Sequence, residues 1–111
     1  MFHPVRQVVF GLGLVALAAS VSAQTRTFTD DEMRAASYLA ANCANCHGTQ
    51  GHSPGAMPGL AGLNRGYFVR QMQEFRDGRR SATLMHQLAK GYTDEQFELM
   101  AEYFSRQKTS R

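Results

Sequence analysis

Apolar positions in this chain recur at helical spacing, and nowhere do they alternate with polar ones over the length of a strand. The clearest case lies near the C-terminus. Phe97, Met100, Ala101 and Phe104 stand at i, i+3, i+4 and i+7, one face of a single helix. Ahead of it Thr93 and Gln96 form a capping box, in which a hydroxyl satisfies a first-turn amide and the side chain three residues on reaches back. Thr29 and Glu32 make a second box. It opens a helix that carries Met33, Ala36, Leu39 and Ala40 towards Cys43. Tyr67, Phe68, Gln71, Met72 and Phe75 give a third helix, with Gly78 as its stop. Residues 83–89 form a shorter one, ended by Gly91. Residues 48–62 hold five glycines and two prolines and read as a loop. The pattern predicts an all-α fold.

Charge changes this picture little. The acidic runs Asp30-Asp31-Glu32 and Asp94-Glu95 fall in predicted first turns, where they suit the helix dipole, so they read as helix starts rather than a binding surface. The formal charge of +3 has no basic tract behind it and argues against a nucleic-acid partner.

The first 23 residues have another layout. A short start with Arg6 precedes an apolar run over residues 8–19, and Val21-Ser22-Ala23 offers small residues for a signal peptidase. The run is short for a membrane span. The expectation is a secretory signal over residues 1–23, cleaved after Ala23, with an uncleaved anchor as the alternative. The chain beyond would be one domain over 24–111, in the periplasm and with no membrane attachment. Removal of Arg6, the one charged side chain of the leader, takes the formal charge from +3 to +2. A domain of that size buries little surface and commonly needs a staple such as a cofactor.

Cys43-Ala44-Asn45-Cys46-His47 supplies the candidate. C-x-x-C-H is the attachment run for c-type haem. Two thiols one helical turn apart can add across two vinyl groups on one edge of the macrocycle, and the following imidazole then reaches the iron. Three other uses of the run fit less well. A thioredoxin-like pair lacks its βαβ surroundings. A zinc site would have to recruit His47, His52 and His86 at spacings that match no zinc-finger pattern. A disulfide between thiols so close makes a poor staple. Export favours haem c, covalently attached, as the cofactor.

An electron carrier needs a sixth iron ligand, and a Met thioether raises the potential. Met33, Met72 and Met100 fall on apolar helix faces and read as core. Met57 lies ten residues past His47, a tight span for crossing from one haem face to the other. Met85, 38 residues past His47, is the favoured ligand, with the adjacent His86 as the rival. His52 is expected to face solvent. An open sixth site would instead allow small-ligand chemistry.

At this point the residues resemble a known family. The capped helix running into Cys43-Ala-Asn-Cys-His47-Gly48, the Pro-Gly loop, a Met and a final amphipathic helix are similar to class I cytochrome c. The finer likeness is to the group that includes the haem subunit of flavocytochrome c sulfide dehydrogenase and related di-haem periplasmic cytochromes. Met57-Pro58-Gly59-Leu60-Ala61-Gly62, Tyr67 with Gln71, Phe75-Arg76-Asp77-Gly78-Arg79, and Met85 followed by Leu88-Ala89-Lys90-Gly91-Tyr92-Thr93-Asp94 carry it. The resemblance implies a small class I cytochrome c fold wrapped round one haem, Met85 as sixth ligand, and a Pro58 carbonyl bonded to the second nitrogen of His47. It also implies Arg79 or Arg80 facing a haem propionate. Unlike di-haem relatives, this chain has one C-x-x-C-H run, so a mono-haem protein is expected.

Three functions stay open. The first is the electron-accepting subunit of a flavoprotein dehydrogenase, sulfide-oxidising by resemblance. Such a chain is not catalytic alone but forms part of a sulfide–cytochrome c oxidoreductase. The second is a free shuttle between redox proteins, ending at a terminal oxidase. The third is a ligand-binding or sensing haem protein. A fixed partner predicts an apolar patch by the haem edge, with Tyr67, Phe68 and Tyr92 as members. A shuttle predicts a ring of charge, yet Lys90 and Lys108 are the only lysines.

Overall fold

The computed structural model describes residues 25–109. The expected signal segment, its cleavage after Ala23 and its role as leader or anchor lie outside them. The described residues form helices and connecting turns, without strands. Helix α1 spans Asp30–Ala41, α2 Ala44–His47, α3 Arg65–Arg76, α4 Met85–Ala89 and α5 Asp94–Ser105.

Both capping boxes form. Thr29 accepts from the Glu32 amide at 3.2 Å while the Glu32 carboxylate accepts from the Thr29 amide at 2.8 Å. Thr93 and Gln96 repeat the exchange at 3.2 and 2.9 Å. Two boundaries differ from expectation. Helix α1 stops at Ala41 because the chain tightens, the Cys43 amide bonding the Ala40 carbonyl at 3.0 Å, three residues back. Helix α4 starts at Met85, with Leu84 as its cap, so residues 83 and 84 stay outside it. The loop expected over 48–62 contains one short 3₁₀ turn, Thr49–Gly51.

Helix α5 is the spine. It packs against α1 and α3, and α3 also supports α4. Phe97, Met100 and Phe104 are fully buried, and Ala36, Ala40 and Ala101 are small enough to let α1 and α5 approach closely. Each large side chain so buried contributes about 1.5–3 kcal/mol. Arg65 reaches Glu98 and Glu102 at 3.2 and 3.0 Å, and Arg76 reaches Asp94 at 2.7 Å. The start of α3 therefore meets the end of α5, and its end meets the start of α5: the two run antiparallel. Among the described residues no helix is long and apolar enough to cross a membrane.

Candidate functional site

The core packing leaves a cavity of about 660 Å³, a volume suited to a small-molecule cofactor. Cys43, Cys46 and His47 form part of its wall, together with Pro58, Met57 and Met85. Helix α2 rests on α1 and on the 3₁₀ turn, whereas α4 rests on α3, so the two groups of residues reach the cavity from separate supports.

One turn of helix places the first group. The Cys46 and His47 amides both bond the Cys43 carbonyl, at 3.2 and 2.8 Å, which brings the two thiols to neighbouring positions. Cys43 is half-buried and Cys46 exposed. Burial pushes the Cys43 thiol above its ordinary pKa, and the adjacent Cys46 adds to the effect. Gly48 ends the turn at φ +82°, a conformation that side chains rarely adopt.

The His47 Nδ1 atom lies 2.6 Å from the Pro58 carbonyl oxygen. A carbonyl only accepts, so Nδ1 carries the proton and donates. The Nε2 lone pair is then left for a metal. The loop holding Pro58 is anchored on both sides. The Leu60 and Ala61 amides bond the Gly51 carbonyl at 2.8 and 3.2 Å, and the Gly62 amide bonds the Phe104 carbonyl at 2.8 Å.

Three methionines line the cavity: Met57, Met72 and Met85. Met85 begins α4 and packs against the core. Met72 is buried in α3, as its place on the apolar face predicts, but it also walls the cavity. Met100 is core alone. His86 stands outside the cavity wall, its Nδ1 buried and without a hydrogen-bond partner among the described residues. His52 does not face solvent as expected. Its ring is half-buried, with Nδ1 3.2 Å from the Thr49 carbonyl and Nε2 against the Lys108 carbonyl, and it ties the loop to the C-terminal tail. Of the two arginines, Arg80 joins the wall and Arg79 pairs with Asp77 away from it.

The expected surface patch needs the same revision. Phe68 is only 4 % exposed, because its ring packs on Phe104 with centroids 5.6 Å apart. Tyr92 is partly buried and packs on the core. The apolar side chains open at the cavity are Met57, Tyr67, Leu84 and Leu88. Leu84 and Leu88 stand four apart at α4, a signal that the short, polar-flanked segment hid in the sequence.

A haem fits these residues. The wall is largely apolar, the exposed leucines call for an apolar occupant, two thiols stand a helical turn apart, and the imidazole is held in the metal-binding tautomer. Residues 33–108 match the family model for cytochrome c.

The chain belongs to the cytochrome c family.

Covalently bound haem c is thus its cofactor. It is 42% identical over 66 residues to the cytochrome subunit of sulfide dehydrogenase from Chlorobaculum tepidum, covering 60% of each chain. It is 34% identical to the thiosulfate dehydrogenase electron acceptor of Thiomonas intermedia, over 98% of this chain and 48% of that one. The solved structure of Acidithiobacillus ferrooxidans cytochrome c4 matches with a TM-score of 0.55 and 43% identity, over 57% of this chain and 37% of that one. The chain therefore spans 60% or less of the length of these relatives.

Proposed function

We propose that this cytochrome is a periplasmic mono-haem electron acceptor for a dehydrogenase that oxidises a reduced sulfur compound, in the first place a sulfide-oxidising flavoprotein. The observation that carries the proposal is the shared cavity wall, where Cys43, Cys46 and His47 meet Met85. Haem c bound there supplies a one-electron ferrous–ferric couple. Cys43 and Cys46 tether it, and Pro58 holds the His47 ring so that Nε2 points away from the loop. Met85 would hold the iron as its second protein ligand, and its neutral sulfur would favour a higher potential. Were His47 and Met85 to stay bound in both oxidation states, little in the protein would have to move. Cys46 is exposed, so the tethered edge would be the one open to a redox partner.

The partner is proposed from the relatives. One is a sulfide dehydrogenase subunit and another accepts electrons from thiosulfate dehydrogenase. A fixed partner suits the charge distribution: seven arginines sit in ion pairs within the chain, and Arg70 stacks on Tyr67, leaving no ring of lysines to steer brief encounters. Residues 1–23 are the export signal. The likeness to the thiosulfate dehydrogenase acceptor favours a second form of the same reading, a free acceptor shared by redox proteins.

The test is gentle purification of the full chain from its source, followed by oxidised and reduced spectra. Reduced c-type bands with a co-purifying flavin, reduced on adding sulfide, support the fixed subunit. Haem bands without flavin, reduced only by an added dehydrogenase, support the free acceptor. Carbon monoxide binding to the native ferrous protein would overturn ligation by Met85.

A further inference from the structure

The ring of His52 stands between two backbone carbonyls. Nδ1 lies 3.2 Å from the Thr49 oxygen in its own turn, and Nε2 meets the Lys108 oxygen in the tail beyond α5. A carbonyl only accepts, so each contact needs an N–H. A neutral imidazole has one and an imidazolium two. The charged ring therefore bonds both carbonyls, whereas beside the neutral ring one of them meets a nitrogen lone pair.

Both contacts bear on the support of Pro58. The tail leaves α5 at the Phe104 carbonyl, which accepts from the Gln107 amide at 3.1 Å and from the Gly62 amide, beyond Pro58, at 2.8 Å. Thr109 then lies over the loop so closely that a Cβ on Gly62 would stand 2.5 Å from its Cγ2. On the other side, the turn between His47 and His52 is strained. Gln50 adopts φ +54° and ψ 23°, a left-handed conformation that a residue with a side chain keeps only when its surroundings impose it. Next to it, the Gly51 carbonyl takes the Leu60 and Ala61 amides. His52 thus fastens the two supports of the Gly/Pro loop, the strained turn and the tail, to each other.

We propose that His52 is a positioning residue for His47: its charged ring draws the turn and the tail together and so holds the Pro58 carbonyl against His47 Nδ1. The inference rests on His47 holding the haem iron. Histidine is the side chain whose charge ordinarily changes between about pH 5 and 8, so the hold depends on pH. Few other charges surround it. The recess beside His52 is walled by Gly51, Ser53, Gly59, Ala61 and Thr109, none of them ionisable. The tail brings Lys108, the near end of α5 brings Arg106 paired with Glu102 at 2.6 Å, and α2 brings His47. The charges of α1 lie in its first half, from Asp30 to Arg34. A firm bond to Pro58 favours the ferric state, so loss of the hold raises the midpoint potential. The bare charge of His52 would act the other way, since a nearby cation disfavours ferric iron and its loss lowers the potential.

The experiment uses the haem-loaded full chain. Midpoint potentials are measured against pH for the native protein, His52→Asn, His52→Gln and His52→Ala, each also in a Pro58→Ala background. The Lys108 and Thr109 amide signals of the ferrous protein are followed by NMR. Asparagine keeps an N–H near the place of Nδ1 and glutamine one near the place of Nε2, so each retains one tie and alanine neither. At acid pH the native potential should be the lowest, His52→Ala the highest, and the other two between. As pH rises, the gap between the native protein and the single-tie variants should close, and the two amide signals should move in the native protein only. With Pro58→Ala present, the effects of all three substitutions should shrink. Should His52→Ala fail to accumulate, His52→Asn and His52→Gln still decide the matter. A native potential at acid pH equal to or above those of the variants, or effects undiminished by Pro58→Ala, overturns the role of His52 while the c-type spectrum leaves the haem itself intact. Absence of that spectrum from the native chain would overturn both.

Discussion

His47 donates from Nδ1 to the Pro58 carbonyl at 2.6 Å, across eleven residues of chain. The bond joins the end of α2 to the Gly/Pro loop and does two things together: it fixes the tautomer, and it makes the ring a stronger donor through Nε2. Pro58→Ala keeps the carbonyl but frees the backbone that proline fixes. A slacker bond leaves the imidazole a weaker donor and the ferric state less favoured. The expected outcome is a midpoint potential raised by less than ~59 mV, the value of one tenfold factor for a single electron. Potentiometric titration of the holoprotein checks it, and a lowered potential would contradict the role given to Pro58.

Met57, Met72 and Met85 all border the cavity, and the Met85 assignment separates them. Met85→Ala should lower the potential by at least ~120 mV, two tenfold factors, and open the ferrous iron to carbon monoxide. Met57→Leu and Met72→Leu should leave carbon monoxide excluded. If Met57→Leu is instead the variant that binds carbon monoxide, the ligand lies in the Gly/Pro loop.

Gly51 supports that loop from beneath. Its φ is +79°, and a Cβ there would stand 2.8 Å from the Ala61 amide nitrogen and 2.9 Å from Phe104 Cδ1. Neither the backbone nor the buried ring can yield easily. Gly51→Ala should destabilise the holoprotein by about 1–3 kcal/mol from conformation alone, with the collision adding to it. Thermal or urea unfolding followed at the haem band measures the loss.

Most of the helices were legible because their starts carry chemistry as well as periodicity. Thr29 with Glu32 and Thr93 with Gln96 announce α1 and α5 through a side chain–backbone exchange that needs no distant partner. The C-x-x-C-H run was equally local. What escaped depends on contacts between distant segments. His52 looks like a loop surface residue until the tail carbonyl of Lys108 arrives, 56 residues later. Phe68 and Tyr67 are neighbours in sequence, yet the first is sealed against Phe104 and the second opens to the cavity, because a helix turns about 100° between them. Leu84 and Leu88 stand in a segment too short to show an apolar face, and what they border is the cavity.

Thr93→Ala removes the hydroxyl that accepts from the Gln96 amide at 3.2 Å, at the head of the helix that carries the largest fully buried side chains, Phe97, Met100 and Phe104. The expected loss is about 1 kcal/mol. Chemical denaturation of the holoprotein should show a lower midpoint with an unchanged slope, since the surface exposed on unfolding is the same. A larger loss with a changed slope would mean that α5 does not remain a single cooperative unit.

Asp94 links the same helix start to α3, and it makes stability depend on pH. Hydrogen bonds from Arg76, then from Gln73, hold its carboxyl below the ordinary carboxylate pKa. A group whose folded pKa is depressed binds its proton more readily in the unfolded chain. Its stabilisation is therefore complete above the unfolded carboxylate value and disappears as pH falls through the lower, folded one. Unfolding midpoints measured from neutral pH into the acid range should decline for the native protein, and Asp94→Asn should decline less steeply because position 94 no longer titrates. Glu32, held low chiefly by the Thr29 amide and then by Arg26, acts in the same direction and continues to titrate in that variant. The difference between the two curves thus isolates Asp94. Arg76→Gln should shrink that difference, since it removes the larger cause of the shift. Parallel curves for native and Asp94→Asn proteins would show that the Arg76 pair, at 2.7 Å but on the surface, is screened by solvent to no consequence.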